Sequence, residues 1–163
     1  MTPSQELLDA VARKADKYGL DYARLCAQVE TESSWNPKAT RFEPAFLKRY
    51  VEPLGFPVQE AQDRATSWGL LQVMGQVARE FGFKGAFEDL LDPETGLEWG
   101  CRKLKQCIRL ASQKGEEGVL GVEKALLYYN GGGDKEYPKR VLAKVEKYPA
   151  GQVITNMEQL GEA

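Results

Sequence analysis

The chain predicts a mainly α-helical domain with little or no β structure, and three observations carry that expectation. Apolar residues recur at three- and four-residue spacing along most of the length. Few stretches alternate with period two, and glycine or proline punctuates the periodic runs. With 163 residues and 42% apolar content, the chain is long enough to form one compact domain over 1–163.

The elements follow in order. Ser4 is placed to cap a helix carrying Leu7, Leu8, Val11 and Ala15 on one face and ending near Gly19. Asp21 caps a second, whose apolar stripe is Tyr22, Leu25, Cys26 and Val29 and which stops before Pro37. Between Thr40 and Thr66 the periodicity weakens. Glu43 to Tyr50 and Val58 to Ala65 read as helices separated by Pro53, Gly55 and Pro57, and a short hairpin has room between Thr40 and Ser67. Leu70, Val73, Val77 and Phe81 predict a helix ending at Gly82. Asp92-Pro93-Glu94 opens a long helix, with proline at its first position. Leu97, Cys101, Leu104, Ile108 and Ala111 give that helix a buried face to about Gly115. Val119 to Tyr129 forms the next helix, ending in Asn130-Gly131-Gly132-Gly133. A last one runs from about Glu136 to Tyr148, and the tail after Pro149 reads as loosely held.

Composition excludes several chemistries. The chain has no histidine, so Ser-His-Asp and Cys-His nucleophilic sites and the common His-built zinc sites are out. Cys26, Cys101 and Cys107 lack CxxC spacing and sit among apolar residues at helical intervals, which makes them small core hydrophobes. No metal site and no cofactor is expected. A net charge of −2 argues against a nucleic-acid partner held by counterion release. Residues 101–149 carry eleven Lys/Arg against six Asp/Glu, a local balance of +5 that reads as a solvated helical surface. The start, Met1-Thr2-Pro3-Ser4-Gln5-Glu6, lacks a basic stretch followed by an apolar run, and no segment is apolar enough to span a membrane. The chain is therefore expected to be made in the cytoplasm without a signal peptide, to insert in no membrane, and to be a monomer.

What remains for catalysis is carboxylate chemistry. Glu32 lies at the edge of the apolar stripe of the second helix, within about 20° of Leu25 when projected at 100° per residue. Immediately after it, Ser33-Ser34-Trp35-Asn36-Pro37 ends the helix in a polar, aromatic turn. A carboxylic acid held partly out of water at such a point can donate a proton near neutral pH. Glu30 is a rival, about 160° around the helix, and spacing alone does not choose between the two.

Three polar and aromatic segments stand at helix ends: Glu32 to Ala39, Ser67 to Met74, and Tyr128 to Gly133. Singly, each is consistent with a helix stop, a close packing point or a capping loop. Together, in this order, they resemble the soluble lytic transglycosylase family of the lysozyme-like superfamily. Its Glu-Ser-x-aromatic-Asn-Pro-x-Ala motif is met by Glu32, Ser33, Trp35, Asn36, Pro37 and Ala39. Its Gly-Leu-Met-Gln-apolar-Met motif is met by Gly69, Leu70, Leu71, Gln72, Val73 and Met74. Its Ala-Tyr-Asn-Ala-Gly motif appears as Tyr128, Tyr129, Asn130, Gly131 and Gly132, with Asp92-Pro93-Glu94 opening the intervening helix. The resemblance covers roughly residues 20–148.

The resemblance implies a lysozyme-like fold and cleavage of the bond between N-acetylmuramic acid and N-acetylglucosamine in peptidoglycan glycan strands, at the cell wall or periplasm. Glu32 would be the acid and then the base, leaving a 1,6-anhydro end. Ser33, Gln72, Met74, Tyr129 and Asn130 would line the sugar cleft, with Tyr129 hydrogen-bonding and aiming the glutamate. The chain departs from the family pattern in two places: Gly131 stands where alanine is usual, and Ala39 to Gly69 is longer than usual. The longer segment contains Glu43, which is either a surface or capping glutamate or a second carboxylate for a hydrolytic, goose-type-like reaction. A non-catalytic glycan-binding module and a helical interaction protein are the readings from other classes. Release of a phage enzyme through a separate membrane hole, delivery on a virion, or cutting from a longer bacterial precursor would each bring the chain to the wall.

Overall fold

The computed structural model describes residues 2–149, so the tail expected after Pro149 lies outside the described residues. Eight α-helices and a small three-stranded sheet make up the described fold. In α1 (Gln5–Tyr18), the Ser4 hydroxyl accepts from the Leu7 N–H, and Gly19 ends the helix in the left-handed region with its N–H on the Ala15 and Asp16 carbonyls. In α2 (Tyr22–Ser33), Asp21 accepts from the Arg24 N–H, and Leu25, Cys26, Ala27, Gln28 and Val29 are buried. Asp92 caps the Thr95 N–H at the start of α6 (Pro93–Gln113), the longest helix. Around α6 pack α1, α7 (Gly118–Tyr129) and the short 3-10 turn Phe87–Leu91.

The buried residues of α1, α2, α6, α7 and α8 (Tyr137–Leu142) form one core with Trp35, Trp68, Leu70, Leu71 and Tyr148. All three cysteines are buried free thiols within it. A carboxylate clamp ties α1 to α6: Glu98 accepts from Lys14, Lys17, Tyr18 and Arg102. A smaller core of Val51, Ala61 and Ala65, packed by Phe46, Leu47 and Phe56, supports the longer segment between Ala39 and Gly69.

Three expectations are corrected. Residues 70–81 do not form one helix. Strands β1 (Thr40–Phe42), β2 (Thr66–Trp68) and β3 (Val73–Met74) pair antiparallel in that order, and α5 spans only Gly75–Glu80. The cause is local backbone geometry. Gly69 (φ +77) and Gln72 (φ +50) both occupy the left-handed region, which a helix cannot contain. Leu70, Leu71 and Val73 are buried by tertiary packing from this turn, so their spacing imitates a helical stripe. The last predicted helix is likewise two pieces, α8 and the 3-10 turn Val145–Lys147. Finally, Ile108 and Phe81, placed on buried faces by their spacing, are exposed at 37% and 36%. The predicted helix over 43–50 is realised as α3 (Pro44–Phe46) running into a π-turn at Leu47–Val51. The helix predicted over 58–65 is α4 (Val58–Arg64).

Candidate active site

Helix α2 ends through two consecutive non-glycine residues in the left-handed region, Ser34 (φ +50) and Trp35 (φ +63). Such backbone costs about 1–2 kcal/mol per residue and persists only where the surroundings hold it. Here Trp35, 2% exposed, donates from Nε1 to the Tyr148 hydroxyl at 2.9 Å and packs on that ring at 5.8 Å between centroids. Asn36 closes the turn by accepting the Lys38 N–H on its side-chain oxygen. The turn sends the chain away from the helix at Glu32 and leaves that carboxyl at the helix end, facing a cleft.

The second segment meets the first through one carbonyl. Ala39 O accepts both the Gly69 N–H (2.8 Å) and Gln72 Nε2 (3.0 Å), and Gln72 Nε2 also donates to Gly69 O (3.0 Å). Gln72 thus spends its amide hydrogens on the backbone and keeps Oε1 as an acceptor. A Cβ on Gly69 would stand 2.4 Å from Leu90 O, so only glycine permits this approach. The third segment ends α7, and the Tyr129 hydroxyl, fully inside the fold, donates to Leu71 O at 2.6 Å.

These segments enclose a cleft of about 690 Å³. Glu32, Gln72, Met74, Tyr129 and Asn130 line it together, joined by Glu43 and Phe46 from the longer segment. Ser33 is not among the lining residues, and its hydroxyl donates to Val29 O at 3.0 Å. The Tyr129 hydroxyl goes to Leu71 and not to Glu32, so Tyr129 meets the acid as a burying wall. Glu43 receives the Arg41 Nε at 2.9 Å. A second cavity, about 420 Å³ between α2, α6 and α7, contains no residue of the three segments.

Glu32 and Glu30 differ sharply. Burial in the cleft wall pushes the Glu32 carboxyl up to about 7, against weaker opposing attraction from Lys103, Arg41 and Arg140. Among the described residues no hydrogen-bond donor reaches its side chain. Glu30 is drawn the other way. Burial alone would raise it, but hydrogen bonds from Tyr148 (2.5 Å) and Lys147 (3.0 and 3.2 Å) hold its carboxyl below the usual range. Glu30 is therefore an ionised strut between α2 and the chain after α8, and Glu32 is the carboxyl able to hold a proton near neutrality.

Lys103 and Tyr137 are among the cleft residues that the sequence did not single out. Lys103 of α6 projects into the cleft, donates to Tyr129 O at 2.8 Å and lies 4.1 Å from the Tyr129 ring centroid. Tyr137 opens α8 and is 2% exposed, and its hydroxyl has no partner among the described residues. Lys103 falls between the apolar positions Cys101 and Leu104 of a basic helix, where nothing in the spacing separates it from its surface neighbours. Tyr137 stands in a polar run, and its aromatic ring next to Pro138 was the available signal.

A family model described as Transglycosylase SLT domain matches residues 9–147. No curated protein and no solved structure matches the chain.

Proposed function

The chain belongs to the transglycosylase SLT domain family, and from that premise we propose that Glu32 is its catalytic acid and base. Family membership supports peptidoglycan lytic transglycosylase activity and action at the cell wall. No helix of the described residues is long and apolar enough to cross a membrane. The observation that carries the residue assignment is the Glu32 carboxyl itself, at the end of α2 in the cleft, with burial raising it to about 7.

The reaction follows from that protonation state. Protonated Glu32 gives its proton to the glycosidic oxygen as the bond from that oxygen to the muramoyl C1 breaks. The resulting carboxylate then takes the proton of the muramoyl 6-hydroxyl, whose oxygen bonds to C1. Glu32 ends protonated again, no water is consumed, and the product carries a 1,6-anhydro ring. General acid–base catalysis of this kind contributes about 10²–10⁴-fold. Gln72 Oε1, Asn130 and Met74 would hold the sugars across from the acid, and Tyr129 would exclude water from it. Ser33 would contribute by stiffening the helix end. The substrate is the peptidoglycan glycan strand, taken by a monomer without metal or cofactor.

Glu43 supplies the alternative. It lines the same cleft and could orient water for hydrolysis, as a second carboxylate does in paired-carboxyl glycosidases. Its carboxylate pairs with the largely exposed Arg41, and family membership is what favours the transglycosylase outcome. Mass spectrometry of muropeptides released from purified peptidoglycan separates the two. Anhydro ends are expected, and only hydrated, reducing ends would replace this reading with hydrolysis. A glycan-binding module would release nothing, and Glu32→Gln would then change nothing.

A further inference from the structure

We propose that Lys103 is a positioning residue for this reaction, its ammonium serving as the fixed counter-charge of Glu32 when that group becomes a carboxylate. The inference rests on the acid–base reading of Glu32 above. Lys103 comes from α6 and lines the same cleft as Glu32. Its Nζ is held at two points on one residue, the Tyr129 carbonyl (2.8 Å) and the Tyr129 ring (4.1 Å). The other two cations of the cleft already have carboxylate partners, Arg41 on Glu43 and Arg140 on Asp134. Among the described residues no salt bridge engages Lys103, so its charge is uncommitted at the wall that also holds Glu32.

The charged and titratable groups that share the cleft with the acid are Arg41 from β1, Glu43 at the start of α3, Lys103 from α6, Tyr128 and Tyr129 from α7, Asp134 from the loop before α8, and Tyr137 and Arg140 from α8. Of the three cations, Lys103 acts most strongly on the Glu32 carboxylate. Burial pulls the Lys103 ammonium itself downward, while Cys107 on its own helix and Glu32 in the same cleft pull it back up. The pairing is therefore mutual. Before proton transfer the neutral acid gains little from the cation. After transfer the carboxylate gains a full ion–ion attraction in a site with restricted water, so the interaction strengthens as the reaction proceeds.

The test compares K103Q, which keeps an N–H for the Tyr129 carbonyl but no charge, with K103R, which keeps the charge. Activity on peptidoglycan is followed against pH, and Glu32 is titrated by carboxyl ¹³C NMR in the same variants. Loss of the cation raises the Glu32 pKa. The alkaline limb of kcat/KM in K103Q should therefore move to higher pH by about 0.5–1 unit, with kcat falling about 5- to 10-fold, and the NMR midpoint should move with it. K103R should keep the native limb. An unmoved limb and midpoint in K103Q, or an equal shift in K103R, would overturn the proposal, whatever the melting temperatures show. If native protein releases no muropeptides, the reaction reading fails, while the NMR midpoints still decide the pairing of Lys103 with Glu32. Should K103Q not fold, K103M carries the same comparison.

Discussion

Glu30 and Glu32 stand two positions apart on α2 and are opposite in chemistry because of what surrounds them. Hydrogen bonds from Tyr148 and Lys147 keep Glu30 ionised, and a half-buried position without donors keeps Glu32 protonated to about pH 7. This has a stability consequence. The folded state holds the Glu32 proton over a range where the unfolded chain releases it, so Glu32 costs stability as pH rises from about 4.5 to 7. Glu32→Gln should therefore stabilise the fold at pH 8 by about 2–3 kcal/mol, and by little at pH 4, while abolishing activity. Denaturant melts at the two pH values check it, and an equal effect at both would contradict the burial argument.

At the scale of elements, the cleft depends on how closely the Gly69–Gln72 turn approaches its neighbours. Gly69 reaches Leu90 O, and Gly100 of α6 packs against Leu71, whose side chain would meet a Cβ there at 2.5 Å. Gly69→Ala adds both a steric clash with backbone and a strained φ, and should destabilise by about 2–4 kcal/mol. It should also lower activity by displacing Gln72. A thermal melt and an activity assay test this together; native stability in the variant would mean that the approach is not required. This turn also marks where sequence reading ended. Helices α1, α2 and α6 were legible because capping residues and apolar stripes agreed at each of them. The stretch from Leu70 to Phe81 was not, because tertiary burial of Leu70, Leu71 and Val73 reproduced a helical period across a turn and a strand.

For the molecule as a whole, two carboxyls set opposite limits on stability. Burial would raise Glu98, but hydrogen bonds from Lys17, Tyr18 and Lys14 outweigh it and lower the group to about 2. Its contribution is thus fully present above about pH 4.5 and is lost as pH falls toward 2. With Glu32 costing stability from about pH 4.5 upward, the melting temperature should peak near pH 5. Glu98→Gln should flatten the acid side and cost about 2–3 kcal/mol at pH 5, while Glu32→Gln should flatten the neutral side. A melting curve that rises steadily to pH 8 would contradict this balance.

The candidate site was legible in part for the same physical reason. Glu32, Gln72, Met74, Tyr129 and Asn130 sit at helix and turn ends, where polar residues break an apolar pattern, and the fold gathers them around one cleft. Ser33 read as a cleft residue because it shares that segment, yet its hydroxyl satisfies its own helix. Lys103 was illegible because its role comes from the packing of α6 beneath Tyr129, which no local pattern encodes. The central claim is that Glu32 is a half-buried acid poised near neutrality, and a carboxyl ¹³C NMR titration tests it most directly. The resonance missing from Glu32→Gln should titrate in the native protein with a midpoint of about 7. A midpoint near 4.5, the ordinary value for an exposed glutamate, would contradict the account.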